Sequence, residues 1–292
     1  MTTKLKAKSP LTVEPTKPKF VIYSASGVGK TWFGLSFPKV YYIDTEGGAT
    51  RSHYMERLSK AGGQYLGVED GSLDFEVVIG QLKALATEKH EFKTVVIDSI
   101  TKLFNTAVAN EAEKLGDKNA FGADKKPAIA YMRRLVAALA RVDMNVILIA
   151  HERAEWGMDD KGQRVELGKV PDCWDKLIYE LDLAFHCQKR GATRVATVKK
   201  SRLLGFPEGQ SFPLEFSDFA ERYGKEVIEK AAKQIDLAAP EQVSEITRLV
   251  ELLKLEKDTT DKWLEKANAE NFTEFNTEQA AKIITNLKSK IQ

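Results

Sequence analysis

The sequence predicts an α/β protein with a mostly parallel sheet flanked by helices, together with a small C-terminal helical domain. Two observations lead to this fold class. In residues 20–236, short apolar runs alternate with stretches of helical spacing, which is typical of strands buried on both faces of a parallel sheet. In residues 237–292, apolar residues recur only at helical spacing. We therefore expect an α/β domain followed by a helical one.

The chain begins with a basic segment, residues 1–19, which holds five lysines, one glutamate and three prolines. Proline interrupts helices and the like charges repel one another. We expect this segment to be a flexible arm.

The predicted sheet has four buried strands, at Phe20–Tyr23, Val40–Ile43, Thr94–Ile97 and Asn145–Ile149. A short helix is predicted to end near Pro38, and further helices are predicted over 73–89 and over 128–142. Two more strands, over 181–187 and 193–199, turn at Gly191 and are predicted to form an antiparallel edge. The C-terminal domain is predicted to contain helices over 241–255, 258–267 and 275–290.

The composition excludes several classes of protein. The 44 lysines and arginines nearly balance the 42 aspartates and glutamates, so the formal net charge of +2 creates no overall field that would attract a polyanion. The two cysteines, Cys173 and Cys187, fit a reducing cytoplasm better than secretion. The apolar run Val146–Ala150 is far shorter than the roughly 20 residues that span a bilayer. We expect a cytoplasmic protein with no membrane partner.

A phosphate-binding loop is predicted between the first strand and the first helix. The pattern G-x-x-x-x-G-K-[ST] is matched, apart from its first position, by Ser24, Ala25, Ser26, Gly27, Val28, Gly29, Lys30 and Thr31. Gly27 and Gly29 allow backbone N–H groups to turn toward phosphates. Lys30 would reach the β- and γ-phosphates, and the Thr31 hydroxyl would bind Mg²⁺. The alternative is a chance turn before a helix.

Ser24 stands where the pattern has glycine. That position mainly permits a tight turn, which serine can form if its φ stays negative. We therefore keep Ser24 in the predicted nucleotide site.

Polar residues follow three of the buried strands, at the edge where ligands of parallel sheets gather. Asp98 would bind Mg²⁺ together with Thr31, unless it only caps the next helix. Glu46 would accept a proton from the water that attacks the γ-phosphate, unless it is a solvated loop acid. His151 would sense that phosphate, unless it is a structural histidine.

In their order along the chain, these segments resemble the RecA/RadA-like ATPases. Tyr42–Glu46 looks like the strand with the catalytic glutamate of that family, Val96–Ser99 like the strand with its magnesium aspartate, and Ile147–His151 like the strand with its γ-phosphate sensor. The resemblance covers about residues 20–215. The short N-terminal segment is most similar to that of phage "core-only" RecA-like proteins, the Sak-type single-strand annealing recombinases, also called AAA-family phage nucleotide-binding proteins.

The resemblance implies a RecA-like P-loop NTPase core with Mg²⁺-dependent, DNA-stimulated ATP hydrolysis. It further implies annealing or strand exchange on single-stranded DNA in phage homologous recombination, as a filament or ring in the host cytoplasm. The C-terminal helical domain would bind a partner such as a single-strand binding protein. Alternatives are a DnaB-like translocating motor or helicase, and a nucleotide-gated scaffold in which hydrolysis is incidental.

The resemblance also places functional residues late in the chain. Lys200 and Arg202 lie in a segment similar to the basic element that reaches a neighbouring subunit's nucleotide, although a solvated edge hairpin would look the same. DNA is expected at the loops that follow the third and fourth strands, where a surface loop is the alternative. The candidates there are Lys125, Lys126, Arg153, Trp156, Lys161, Arg164 and Lys169.

Overall fold

The structure, a computed structural model, describes residues 15–48, 51–119 and 122–291. Of the predicted basic arm, residues 1–14 lie outside the described residues. The part that is described is ordered, because Lys17 is buried and donates a hydrogen bond to the carbonyl oxygen of Lys230 at 2.6 Å. Lys19 opens the first strand.

A nine-stranded sheet forms the centre of the molecule. Its strands are β1 (Lys19–Ser24), β2 (Val40–Asp44), β3 (Gln64–Leu66), β4 (Thr94–Asp98), β5 (Asn145–Met158), β6 (Arg164–Pro171), β7 (Leu183–Arg190), β8 (Thr193–Ser201) and β9 (Ser211–Pro213). They follow the order β3-β2-β4-β5-β1-β7-β8-β9, with β6 paired to β5. Strands β1, β2, β3, β4, β5 and β7 pair in parallel, whereas β6, β8 and β9 are antiparallel to their neighbours. The predicted α/β fold class is confirmed.

Helices cover both faces of the sheet. In chain order, the helices of the described residues are α1 (Lys30–Gly34), α2 (Ser52–Lys60), α3 (Phe75–Thr87), α4 (Ile100–Leu115), α5 (Lys125–Arg141), α6 (Leu177–Glu180), α7 (Phe216–Tyr223), α8 (Lys225–Glu229), α9 (Pro240–Leu252), α10 (Lys257–Ala267) and α11 (Thr277–Lys288). Among the described residues, no helix is both long enough and apolar enough to cross a membrane.

Alternate residues of each inner strand enter two separate cores. In β1, Val21 and Tyr23 pack with α3, α4 and α5, whereas Phe20 and Ile22 pack with α1, α2 and α7. Because both faces are buried, the middle residues of the inner strands are apolar on both sides of the strand, which is the pattern that predicted them. The same burial fixes the strand ends, where the polar residues of the site lie.

Strand β5 is much longer than the apolar run that predicted it. It continues beyond His151 and pairs with β6 in a projecting two-stranded ribbon, which we define as Glu152–Met158 and Arg164–Pro171. The sequence predicts a loop here. Pairing between the two strands satisfies the backbone polar groups without any buried apolar run, so the sequence carries little signal of these strands.

Helices α9, α10 and α11 share a small core of their own, around Ile246 and Phe275. This helical unit is joined to the rest of the chain by ion pairs. Lys83 on α3 contacts Glu270 at 2.6 Å and Glu274 at 2.8 Å, and Arg134 on α5 contacts Glu270 at 2.5 Å. We call these four residues the latch.

Candidate nucleotide-binding site

A cleft of about 620 Å³ lies at the carboxyl edge of the parallel strands. The strand register brings its walls together, because Asp44 pairs with Asp98 across β2 and β4, and Ser24 pairs with His151 across β1 and β5. Ligands of α/β proteins bind at this edge. The structure thus joins residues that are widely separated in sequence.

The phosphate loop has the backbone that its glycines permit. Gly27 and Gly29 have φ values of +77° and +104°, a region that favours glycine, and Gly29 directly precedes α1. Among the described residues, the non-glycine residues with positive φ do not include Ser24. The serine is therefore accommodated without strain, as the sequence analysis required.

Lys30 is buried and lies against its own loop. Its ammonium group donates hydrogen bonds to the Ser24 carbonyl at 3.0 Å, the Ser24 hydroxyl at 2.9 Å and the Ala25 carbonyl at 3.1 Å. Burial lowers the pKa of Lys30, and the nearby Asp98 opposes that shift. The lysine is thus held by neutral acceptors, one of which exists only because Ser24 is not glycine.

Thr31 and Asp98 form a pair of oxygen donors beside the loop. The Thr31 hydroxyl donates to Asp98 Oδ2 at 2.6 Å, and the Tyr42 hydroxyl donates to the same oxygen at 3.1 Å. Burial raises the pKa of Asp98 to about 6. A hydroxyl and a carboxylate are ligands that Mg²⁺ prefers, so these residues fit that ion. Tyr42 was not identified from the sequence, because it lies within a buried strand.

Glu46 and His151 are brought into contact. His151 Nε2 lies 2.7 Å from Glu46 Oε1, and the Ser99 hydroxyl donates to that oxygen at 2.5 Å. The Glu46 amide also donates to Asp44 Oδ1 at 3.0 Å. Glu46 is therefore held in one position, yet its side chain is 38% exposed and accessible to water.

Several residues of the cleft were missed by the sequence analysis. Aromatic and basic side chains complete its wall, namely Trp32, Arg51, His53, Tyr54 and Arg194. Trp32 comes from α1, Arg51 directly precedes α2, and His53 and Tyr54 lie in the first turn of α2. Arg194 comes from the start of β8.

The predicted subunit-bridging residues lie away from this chain's cleft. Lys200 donates to the Leu181 carbonyl, and Arg202 donates to the Tyr179 carbonyl at 2.6 Å. Both lie at the amino-terminal edge of β7, because β8 runs antiparallel to that strand. Their proposed role concerns a neighbouring subunit and stays a prediction.

The DNA candidates do not form one cluster. Lys125 and Lys126 begin α5, and Lys161 lies in the turn of the ribbon. On the ribbon itself, Arg164 lies over the Trp156 ring at 4.9 Å. Two further cations are paired with acids, Arg153 with Asp175 and Lys169 with Glu166. Trp156 is 51% exposed and is the large aromatic residue that the ribbon offers.

A family model described as an AAA domain matches residues 16–211. Among solved structures, the chain is similar to the RadB recombinase, with 23% identity and a TM-score of 0.41 over 67% of this chain and 86% of that chain. It is also similar to a prototypical ATPase from the type III secretion system of pathogenic bacteria, with 14% identity and a TM-score of 0.41 over 95% and 82%. The comparison with curated proteins gives no match. Since the family model covers more than half of its 292 residues, the chain belongs to the AAA domain family, and its fold is an α/β fold with a mostly parallel sheet flanked by helices.

Proposed function

We propose that this protein is an Mg²⁺-dependent ATPase that acts on single-stranded DNA in phage homologous recombination, by annealing or strand exchange. One observation carries the ATPase part of the proposal. The phosphate loop, the Thr31–Asp98 pair and the Glu46–His151 pair all face one cleft. These are the parts that hydrolysis needs: a phosphate cradle, metal ligands, and a carboxylate that can activate water.

The residues of the cleft have distinct tasks in this proposal. The loop amides and Lys30 bind the phosphates, and Thr31 and Asp98 hold Mg²⁺. When bound, the metal ion neutralises the charge that develops on the phosphates. Glu46 accepts a proton from the attacking water, and His151 and Ser99 hold the Glu46 carboxylate in place.

The ribbon supports the DNA part of the proposal. It begins one residue after His151 and carries the exposed Trp156, flanked by Arg164. An aromatic face beside a cation can stack on a base and contact a phosphate. A conformational change at the γ-phosphate would thus be transmitted to the DNA along one β-strand, β5.

Assembly into a filament or ring is the third part. Lys200 and Arg202 would act on the nucleotide of the neighbouring subunit, since they lie far from the cleft of their own chain. The helical unit over 237–292 would serve as a separate domain that binds a single-strand binding protein. The protein would work in the cytoplasm of the infected host.

Two variants test the ATPase assignment. Lys30→Ala should abolish ATP binding and hydrolysis. Glu46→Gln should keep ATP binding but lower kcat roughly 10²- to 10⁴-fold, the range for a lost general base. Lys225→Ala, an exposed residue of α8, is the matched control and should behave as wild type. Full hydrolysis by Lys30→Ala would show that the assignment is wrong.

Mixing two inactive variants tests the assembly. A Lys200→Ala/Arg202→Ala chain keeps its own cleft, and a Lys30→Ala chain keeps both basic residues. If the basic residues act on a neighbour, the mixture should regain part of the DNA-stimulated hydrolysis that each variant lacks alone. A mixture as inactive as its components would contradict a role across the interface. A duplex-unwinding assay separates annealing from a translocating motor.

A further inference from the structure

Arg194 is a cation at the cleft that the proposed mechanism does not use. It is the second residue of β8, and it reaches the cleft because β7 and β8 form a hairpin whose turn lies at the carboxyl edge of the sheet. Strand β7 runs parallel to β1, so both end at that edge. The hairpin therefore brings the start of β8 beside the phosphate loop of the same chain.

The position of Arg194 is fixed by its backbone and its stem. The Arg194 carbonyl accepts a hydrogen bond from the Leu214 amide at 2.9 Å, and Arg194 pairs with Lys189 across the hairpin. Its side chain packs on Gly29, where a Cβ atom would lie 3.0 Å from Arg194 Cδ and 3.1 Å from Nε. Gly29 thus serves a second purpose: it leaves room for this arginine.

The guanidinium group has no acidic partner among the described residues. Some arginines of the chain are paired with acids, as Arg134 is with Glu270 and Arg248 with Glu245. Arg194 forms neither an ion pair nor a side-chain hydrogen bond within the described ranges, although three acids line the same cleft. Arg194 is exposed, its stem packs on the phosphate loop and its guanidinium group is left unpaired, so it is suited to bind an anion there.

We propose that Arg194 contacts a phosphate oxygen of the nucleotide bound to its own chain. This inference rests on the proposed function, because it assumes that the cleft binds ATP. Arg194 would then differ from Lys200 and Arg202, which the proposal assigns to the neighbouring subunit's nucleotide. The same hairpin would serve two nucleotide sites, one from each end.

The test compares Arg194→Ala, Arg194→Lys and the control Lys225→Ala, using a fluorescent ATP analogue to measure the dissociation constant. We expect Arg194→Ala to weaken binding roughly tenfold or more, since a hydrogen bond to a charged group contributes about 1.5–3 kcal/mol. Arg194→Lys should fall between Arg194→Ala and wild type, because lysine keeps the charge but not the planar fork. Unchanged thermal unfolding of the free variants would show that the fold is intact.

Three results would overturn the inference. One is binding by Arg194→Ala within twofold of wild type. Another is weakened single-stranded DNA binding with unchanged ATP binding, which would make Arg194 a DNA contact. The third is recovery of hydrolysis when Arg194→Ala is mixed with Lys30→Ala, which would place Arg194 in a neighbour's site. Failure of the proposed function itself looks different, because Lys30→Ala would then bind the analogue as wild type does.

Discussion

The hydroxyl of Ser24 is predicted to restrain Lys30 in the free protein and to weaken ATP binding. It accepts one of the three hydrogen bonds of the Lys30 ammonium group, at 2.9 Å, and donates to the Ala25 carbonyl at 2.7 Å. Ser24→Ala removes this acceptor while leaving both backbone carbonyls in place. The substitution therefore removes one hydrogen bond of a buried cation, together with the hydroxyl's own bond to the Ala25 carbonyl.

The magnitude follows from that bond. A hydrogen bond to a charged group contributes about 1.5–3 kcal/mol, and the lower value applies here because two acceptors remain for Lys30. The free energy of unfolding of the nucleotide-free protein should fall by about 1.5 kcal/mol. In the proposed complex Lys30 turns to the phosphates, so the bound state loses little. ATP affinity should then rise roughly tenfold.

Two measurements on Ser24→Ala check this reasoning. Urea unfolding without nucleotide gives the loss of stability, and titration with an ATP analogue gives the change in affinity. Ser26→Ala is a matched control for stability, because the Ser26 hydroxyl forms no hydrogen bond within the described residues. Weaker ATP binding by Ser24→Ala would refute the argument, since the hydroxyl would then act on the nucleotide rather than on the lysine.

Three further predictions concern other parts of the molecule. Trp156→Ala should weaken single-stranded DNA binding at least fivefold, since a base stack contributes roughly 1–3 kcal/mol, whereas Met158→Ala should not; equal effects in a gel-shift titration would contradict base stacking. The hydrogen bond from Arg134 lowers the pKa of Glu270, so the latch should stabilise the fold by about 1 kcal/mol above pH 5 and lose this contribution as the pH falls below about 4. Acid titrations of wild type and Glu270→Gln should therefore converge in stability at low pH. Burial lowers the pKa of Lys19 to about 8, whereas the ordinary pKa of lysine is near 10.4. Between these two pH values, the unfolded chain therefore binds more protons than the folded chain. The free energy of unfolding of the wild type, relative to that of Lys19→Met, should rise by about 3 kcal/mol as the pH increases through that window. If urea unfolding gives a difference that does not change with pH, the burial argument is wrong.

The inner sheet could be predicted because its strands are buried on both faces. The runs at Phe20–Tyr23 and Thr94–Ile97 are fully buried and, apart from Thr94, apolar, and few other structures produce that pattern. The ribbon could not be predicted in the same way. Its strands alternate between exposed and half-buried residues and depend on pairing with each other, which a scan for apolar runs does not detect.

The residues of the site could likewise be predicted only in part. Thr31, Glu46, Asp98 and His151 could be grouped in advance, because each follows or ends an element of the parallel sheet and parallel strands end at one edge. That rule did not identify Arg194, because this residue lies at the start of a strand and not at its end. An antiparallel strand that leaves the same edge places its first residues there. Applying the rule to both ends of a hairpin would have found this arginine.

The continuity of β5 has a mechanical consequence. Its 14 residues span roughly 46 Å at about 3.3 Å per residue, and the strand is buried in the sheet at one end and paired with β6 at the other. The ribbon is therefore continuous, through β5, with His151 at the edge of the cleft. A force on the ribbon would be transmitted along β5 to His151, which lies within hydrogen-bonding distance of Glu46. In the proposed function, tension in a bound DNA strand would therefore act on the Glu46–His151 pair, and single-molecule pulling during hydrolysis would measure the response.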